Sequence, residues 1–434
     1  MELRSTSDSN LRITWREAVL VGLAPDGGLY LPSHLPLFSP DELEELATLP
    51  FPEFAFNVAR HFLEDEISAE ILRNICLEAF DFACPLHQLD INTYILELFH
   101  GPTCAFKDFG ARFMSRLFRH FCGRANRRLT VLVATSGDTG SAVANAFFDA
   151  TPDPSISVVI LFPKGKVSLV QRKQMTTLGH NITALEVSGT FDDCQALAKE
   201  ALCDSHLAES IALTSANSIN IARLLPQMFY YAYTTLRFPS GTPLRYSVPS
   251  GNLGNLTGGL LAHWSGWSTT RFIAACNSNK TFSDFIKTGV FTPSSSLETI
   301  SNAMDVGNPS NFYRISSLYN NDLDSLRSTL VGHSIDDVET RAIMKQVYSD
   351  YDYILDPHTA VGVAALFRER KRAPESCIDV VLATAHPAKF STVVEGTLGV
   401  SPTLPPQLHD TLAKEEESIS ISTRYEELKT FLLR

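Results

Sequence analysis

The sequence Phe99-His100-Gly101-Pro102-Thr103-Cys104-Ala105-Phe106-Lys107-Asp108-Phe109-Gly110 stands between a strand-like run, Tyr94–Leu98, and a helical pattern from Ala111. It places Lys107 between two phenylalanines, just after a Gly-Pro turn. An amine held against aromatic rings is partly desolvated, so its pKa tends to fall, and a neutral amine can form a Schiff base. Lys107 is therefore a candidate anchor for a carbonyl cofactor such as pyridoxal phosphate. The alternative is a lysine that snorkels beside an apolar patch.

The composition is typical of a globular protein with more than one core. The chain has 434 residues, of which 44% are hydrophobic and 19% are charged. This length exceeds the usual limit for a single core, so we expect two or three packed units. The formal net charge of -12 and the absence of a long basic cluster argue against a nucleic-acid partner.

The cysteines and the apolar runs of the sequence indicate in which cellular compartment the protein resides. The eight cysteines are scattered, and none forms a CxxC pair or stands near histidines at metal-ligand spacing. The sequence therefore predicts no metal site. The first residues lack an apolar signal core, and no apolar run approaches the length of a membrane span. We expect a reduced, cytoplasmic protein without a membrane partner.

Short β-branched runs alternate with amphipathic helical patterns from about residue 91 onward. This alternation predicts an α/β protein with mainly parallel sheets. A long helical segment over residues 219–236 separates two groups of strands and predicts two lobes. The predicted strands are 92–98, 129–134, 157–162, 183–187 and 211–214, then 245–248, 272–275 and 379–384. The predicted units are a mainly helical region over 1–90, lobes over 91–236 and 237–400, and a tail over 401–434 that ends in a helix.

A turn of small residues, Thr135-Ser136-Gly137-Asp138-Thr139-Gly140, follows the predicted strand that ends at Ala134. It leads into an alanine-rich helix. Amides and hydroxyls at the positive end of a helix can bind a carboxylate or a phosphate. An ordinary glycine turn with a hydroxyl cap is the alternative.

A second turn of this kind is richer in glycine and reads Gly251-Asn252-Leu253-Gly254-Asn255-Leu256-Thr257-Gly258-Gly259. Its glycines permit left-handed backbone and close approach to a ligand, and successive amides can form a nest around phosphate. The spacing matches neither GxGxxG nor the Walker sequence, which argues against a dinucleotide or a nucleoside triphosphate. A phosphate cradle is favoured over a plain loop.

Thr384 closes the last predicted strand, at the carboxyl edge where ligands of open α/β sheets bind. Its neutral hydroxyl could bond a heteroaromatic ring nitrogen, whereas a cap before Pro387 is the alternative. Together with Lys107 and the glycine cradle, Thr384 describes a dock for pyridoxal phosphate: an amine for its aldehyde, amides for its phosphate and a hydroxyl for its ring nitrogen.

Ordered motifs along nearly the whole chain resemble those of the threonine synthase family, pyridoxal-phosphate enzymes of fold type II, the tryptophan-synthase-β-like fold. The motifs are residues 22–30, the Lys107 and Ser136 segments, residues 215–220, the glycine cradle, and residues 304–309, 356–360 and 384–389. The compact length is similar to that of bacterial members. The resemblance implies two parallel-sheet lobes and an N-terminal helical region.

The resemblance also implies roles for individual residues. Lys107 would carry the coenzyme, and Thr384 would face its pyridine nitrogen. The residues implied for the coenzyme phosphate are Gly251, Asn252, Leu253, Gly254 and Asn255, and those implied for the substrate carboxylate are Thr135, Ser136, Gly137, Asp138 and Thr139. Two positions depart from related sequences: asparagine often stands at the position of Asp138 in the wider fold type, and phenylalanine at that of Leu253.

The implied substrate is O-phospho-L-homoserine, and the implied products are L-threonine and phosphate. Two bound phosphates require local cations in this acidic chain. The candidate cations are Arg112 and Lys166, and the candidate neutral donors are Ser168 and Asn217. The alternative is that the two cations are ordinary surface charges. Rival functions are a phospho-lyase that releases 2-oxobutyrate, a hydroxy-amino-acid dehydratase, and a non-catalytic metabolite sensor, which would not need Lys107. We expect a monomer or a homodimer.

Overall fold

The structure is a computed structural model that describes residues 1–123, 129–151, 155–267 and 269–434. Numbered along the chain, its strands are β1 Leu3–Ser5, β2 Arg12–Ile13, β3 Tyr30–Pro32, β4 Leu86–Asp90, β5 Thr93–Glu97, β6 Leu129–Ala134, β7 Ile156–Pro163, β8 Ile182–Val187, β9 Leu213–Ser215, β10 Leu244–Pro249, β11 Arg271–Cys276, β12 Leu330–Ser334, β13 Ile378–Ala383 and β14 Ile419–Ile421. The helices are α1 Trp15–Val21, α2 Pro40–Ala47, α3 Phe51–Leu63, α4 Ala69–Ala79, α5 Lys107–Gly123, α6 Asp138–Phe147, α7 Leu169–Thr176, α8 Phe191–Cys203, α9 Ser205–Ser210, α10 Ile221–Thr235, α11 Gly254–Trp264, α12 Thr281–Thr288, α13 Phe312–Leu318, α14 Leu323–Thr329, α15 Asp337–Tyr351, α16 Pro357–Arg372, α17 Ser391–Leu398, α18 Pro406–Ala413 and α19 Tyr425–Leu432. Two short 3₁₀ helices span Asn302–Met304 and Pro387–Phe390.

The larger sheet has six strands in the order β12-β11-β10-β13-β5-β4. All neighbours are parallel except β4, which runs antiparallel to β5. Every residue of β10 is buried, as expected for a parallel strand covered on both faces. The strand before Lys107, β5, pairs with β13 in this sheet, which corrects the predicted division at residue 91. In the chain, β5 comes before the strands of the smaller sheet, but it pairs by hydrogen bonds with strands of the larger sheet.

The smaller sheet is entirely parallel, with five strands in the order β14-β8-β7-β6-β9. Strand β7 buries all of its residues except Ser157, which matches its continuous apolar sequence. The C-terminal tail supplies β14 to the edge of this sheet and α19 to the surface of α8. The predicted terminal helix is confirmed, and the tail also contributes a strand.

The N-terminal region is mainly helical, as predicted, but also contains a small antiparallel sheet in the order β2-β1-β3. Helix α2 begins as predicted: Ser39 forms a capping box with Glu42, and Pro40 occupies the first turn. Helix α3 places seven buried residues along one face, among them Phe54 and Phe62, and packs against α4 and α10. The region thereby covers the long helix between the two lobes.

All eight predicted strands are present, each within two residues of its expected ends. The long helix over 219–236 is also confirmed, as α10. Two parallel-sheet lobes therefore flank this helix. Within the part of the chain that the structure describes, we find no helix whose length and apolar character suffice to span a bilayer.

Candidate active site

An inner cavity of about 80 Å³ lies where strands of both sheets end. Its walls include Ala134 at the end of β6, Pro249 at the end of β10 and Thr384 just after β13. A wider cleft of about 850 Å³ adjoins it, and Ser136 lines both spaces. The carboxyl ends of parallel strands are where open α/β sheets bind ligands, so these two spaces form the candidate active site.

Lys107 begins helix α5 and lines the inner cavity. The preceding loop is held to the residue that follows β13: the Phe106 amide donates to the Thr384 carbonyl at 2.9 Å. The Lys107 ammonium nitrogen lies 4.9 Å from the centre of the Phe106 ring, and 16% of the side chain is exposed. Burial lowers the pKa of Lys107, and the nearby carboxylate of Asp138 only partly opposes this effect. The desolvation expected from the flanking phenylalanines is therefore present in the fold.

Asp138 is the buried anion of the site and begins helix α6. Its Oδ2 atom lies 3.7 Å from Lys107 Nζ, while its Oδ1 atom lies 2.8 Å from Lys389 Nζ and accepts a hydrogen bond from Gln171 Nε2 at 2.9 Å. Burial alone would raise the pKa of Asp138, but Lys389 and Lys107 outweigh it and lower that pKa. The carboxyl group is therefore ionised.

The glycine cradle has backbone features typical of a phosphate site. Leu253 has a left-handed φ of 61°, and Gly254 then begins α11, so consecutive amides turn toward the positive end of a helix. Asn255 fixes the turn, because its side chain donates to the Pro249 carbonyl at 2.8 Å and accepts from the Ser250 hydroxyl at 2.6 Å. A Cβ atom at Gly251 would lie 2.8 Å from the Met304 Cα atom, so this backbone needs glycine.

We expect Gly251→Ala to weaken coenzyme binding, since the added methyl group meets backbone that cannot move aside as a side chain could. Overpacking of about 1–3 kcal/mol corresponds to a roughly 5- to 150-fold higher dissociation constant. A pyridoxal phosphate titration followed by visible absorbance measures this. Gly396→Ala is the matched control, because nothing lies within 4 Å of its added Cβ. Equal affinities in the two variants would contradict the cradle.

The structure brings most of the sequence-predicted residues to the inner cavity. Those that line it are Lys107, Ser136, Asp138, Thr139, Asn217, Gly251, Asn252, Leu253, Gly254, Asn255 and Thr384. Thr135 and Gly137 lie in the same turn, where the Thr135 hydroxyl accepts from the amides of Gly137 and Gly140, each at 2.9 Å. Asn217 uses its side-chain amide to bridge the backbone of Ala134.

The predicted phosphate cations lie outside the inner cavity. Arg112 is wrong as a substrate ligand, because its guanidinium donates to the carbonyls of Glu78 and Ala79 and to Asp81. Lys166 lines the outer cleft and pairs with Glu298 at 2.6 Å. Ser168 lines that cleft too, where its hydroxyl caps helix α7.

Sequence reasoning missed several residues of the inner cavity. Arg223, on α10, is buried, and burial lowers its pKa to about 10, so it stays cationic at neutral pH. Arg223 and Gln227 both line the cavity, and the buried atoms Arg223 Nε and Gln227 Oε1 form no hydrogen bond in the structure. His358 Nε2 accepts from the Ala303 amide at 3.1 Å, while its Nδ1 donates to Asp356. In the sequence, Arg223 could have been found from its position, because it comes three residues after the motif of residues 215–220.

The chain matches three family models, which together span residues 2–432. Residues 73–385 match the model described as pyridoxal-phosphate dependent enzyme, residues 2–80 that of the threonine synthase N terminus, and residues 359–432 that of the threonine synthase C-terminal region. A threonine synthase of Escherichia coli strain K12 is 42% identical over 411 residues, which cover 94% of each chain. The chain belongs to the threonine synthase family.

Solved structures of this family share the whole fold. The crystal structure of threonine synthase from Escherichia coli matches with a TM-score of 0.93 at 40% identity and covers 100% of this chain and 99% of that one. The structure of threonine synthase with bound pyridoxal phosphate from Brucella melitensis matches with a TM-score of 0.92 at 34% identity, with coverage of 100% and 99%. The predicted fold type II architecture and the predicted pyridoxal phosphate cofactor are both confirmed. Lys107 and residues 251–255 line one cavity, where an amine and backbone amides could hold this coenzyme.

Proposed function

We propose that this member of the threonine synthase family converts O-phospho-L-homoserine and water to L-threonine and phosphate, with Lys107 as its catalytic lysine. The observation that carries the proposal is that Lys107, the glycine cradle and Thr384 line one cavity where both sheets end. In it, Lys107 would bond the coenzyme aldehyde, residues 251–255 would hold its phosphate, and the Thr384 hydroxyl would face its ring nitrogen. When bound, pyridoxal phosphate supplies an electron sink for charge that develops at the substrate.

The residues of the chain supply proton transfer and orientation. When its nitrogen is not bonded to the coenzyme, Lys107 would take the proton from the substrate Cα, give that proton up to solvent, and then, unprotonated again, take the one from Cβ. Its lowered pKa suits this task, since only an unprotonated amine accepts a proton. Ser136, Thr139 and Asn217 line the cavity beside Lys107 and would orient the substrate carboxylate by hydrogen bonds.

The outer cleft is the proposed place for the substrate phosphate. It contains Lys166 as a cation, Ser168 as a neutral donor and a volume larger than that of the inner cavity. Because Lys166 pairs with the exposed Glu298, binding there would require the phosphate to replace that carboxylate. Arg223 is the additional buried cation on the inner side.

The products of O-phospho-L-homoserine test the proposal. We expect the yellow, pyridoxal-phosphate-loaded protein to release L-threonine and phosphate in equal amounts. A main product of 2-oxobutyrate would instead establish the phospho-lyase reaction. A protein that stays colourless and inert with added pyridoxal phosphate would overturn the enzymatic function and leave the metabolite sensor. The cytoplasmic location and the monomeric or homodimeric state stay predictions; size-exclusion chromatography with light scattering tests the second.

A further inference from the structure

Lys389 is a second lysine at the site, and its side chain has no exposed surface. It lies in the 3₁₀ helix Pro387–Phe390, where its ammonium pairs with Asp138 at 2.8 Å and donates to the Thr103 carbonyl at 2.8 Å. Burying an ammonium is costly unless it is paired and hydrogen-bonded. One partner, Asp138, begins α6 beside Lys107, and the other, Thr103, lies in the loop before Lys107, so this buried charge acts on the site itself.

We propose that Lys389 is a positioning residue, which holds the Asp138 carboxylate in a close ion pair of its own and so keeps Asp138 from pairing closely with Lys107. Three distances carry the inference. The Asp138 Oδ1 atom is engaged by Lys389 and by Gln171, at 2.8 and 2.9 Å, whereas Oδ2 stays 3.7 Å from Lys107 Nζ. The carboxylate is therefore fixed by two donors on the side away from Lys107.

The physical consequence concerns the proton on Lys107. Attraction between unit charges grows as they approach, and a nearby anion favours the protonated amine. Without Lys389, Asp138 would lose its closest cation and could turn toward Lys107. The ammonium form of Lys107 would then be stabilised, and its nitrogen would have no lone pair for a carbonyl carbon or for a substrate proton.

The charges around Lys107 act on its pKa in both directions: Asp138 raises it, whereas the Lys389 ammonium itself lowers it. Arg223 of α10 disfavours a charge on Lys107, and Asp108 of α5 is held by the amide and hydroxyl of Thr103 at 2.9 and 2.6 Å. Burial raises the pKa of Cys104 to about 12 and, together with His100, lowers that of His386 to about 4, so both are uncharged at neutral pH. Burial also raises the pKa of Asp108, and the Thr103 hydrogen bonds partly offset this rise.

Competitive acetylation of the full-length, coenzyme-free chain measures the pKa of Lys107 directly. An unprotonated lysine attacks acetic anhydride: an amide bond forms, acetate leaves and the amine proton passes to solvent. The extent of labelling of the Lys107 peptide is measured by mass spectrometry across pH, with Lys164 as the internal standard, since 60% of its side chain is exposed. Thermal unfolding establishes that each variant is folded.

We expect K389M to raise the pKa of Lys107 by about 1 to 3 pH units and K389R to leave it near the original value. K389Q serves as a second neutral variant, because its amide can still donate to the Thr103 carbonyl. In a D138N background, the rise caused by K389M should shrink to less than half. An unchanged pKa in both neutral variants would overturn the proposal. An equal rise with and without Asp138 would also overturn it, because Lys389 would then act by its charge alone.

The inference rests on the proposed role of Lys107, but its test does not depend on product formation. Acetylation reports the proton affinity of Lys107 whether the protein makes threonine, 2-oxobutyrate or nothing. A failed turnover assay would therefore overturn the proposed function alone, and an unchanged labelling profile would overturn the role of Lys389 alone.

Discussion

We expect Lys107→Ala to lose threonine formation by at least about 10⁴-fold, because in the proposed reaction this one amine would both anchor the coenzyme and move the substrate protons. The cradle of residues 251–255 is untouched, so pyridoxal phosphate should still bind reversibly, without the visible band of the bonded form. Rates are measured as phosphate release and as threonine release, and coenzyme binding by equilibrium dialysis.

Lys164→Ala is the matched control for this loss. Lys164 is an exposed lysine just after β7 that pairs with Glu186 at 3.8 Å. It lines neither cavity, although its neighbours Pro163 and Gly165 line the outer cleft. Its removal should change the rate less than twofold. Turnover by folded Lys107→Ala within about tenfold of the unaltered protein would refute the catalytic assignment of Lys107.

The second large effect is expected near the amino-terminal end of β13 in the larger sheet, where Asp379→Ala should lower the free energy of unfolding by about 3–5 kcal/mol. Asp379 is buried and accepts hydrogen bonds from Arg245 Nε at 2.7 Å and from Arg370 Nε at 2.6 Å. Arg245 has no exposed side-chain surface, and its next carboxylate, Glu375, is 3.7 Å away. The variant therefore leaves a buried guanidinium without its close partner.

Urea unfolding followed by fluorescence and circular dichroism measures this loss. Lys280→Ala is the control, since it breaks a pair with Asp284 in which both side chains are substantially exposed. Such surface pairs contribute about 0–1 kcal/mol. If both substitutions lowered the free energy of unfolding by the same small amount, the buried network around Asp379 would stabilise the protein no more than a surface pair does.

The local sequence pattern predicted the positions of the long strands and helices well, but it did not predict which strands pair with one another. Strands such as β7 are long apolar runs, so their positions follow from composition alone. The short strands β1 and β14, three residues each, carry too few residues for a pattern. The membership of β5 in the larger sheet depends on its pairing with β13, near the other end of the chain, and a local pattern contains no information about that pairing.

The site was predictable where one segment forms it and less so where distant segments meet. Lys107 and the cradle are contiguous motifs whose geometry follows from their own residues. Arg112 comes five residues after Lys107 on the same helix, and side chains at that spacing leave from different faces, so it points to Glu78 and Asp81 instead. Lys389 is placed beside Asp138 only by the tertiary fold.

The pairing of β5 with β13 also bears on the order in which the protein folds. The loop between β5 and Lys107 follows directly from β5, and Lys389 contacts the Thr103 carbonyl of this loop across 286 positions of sequence. Contacts at such separations form late, after loop closure has been overcome. During synthesis from the N-terminus, β5 and its lysine emerge long before β13 is available to pair with them. The reactive amine therefore reaches its final surroundings only when nearly the whole chain has been made.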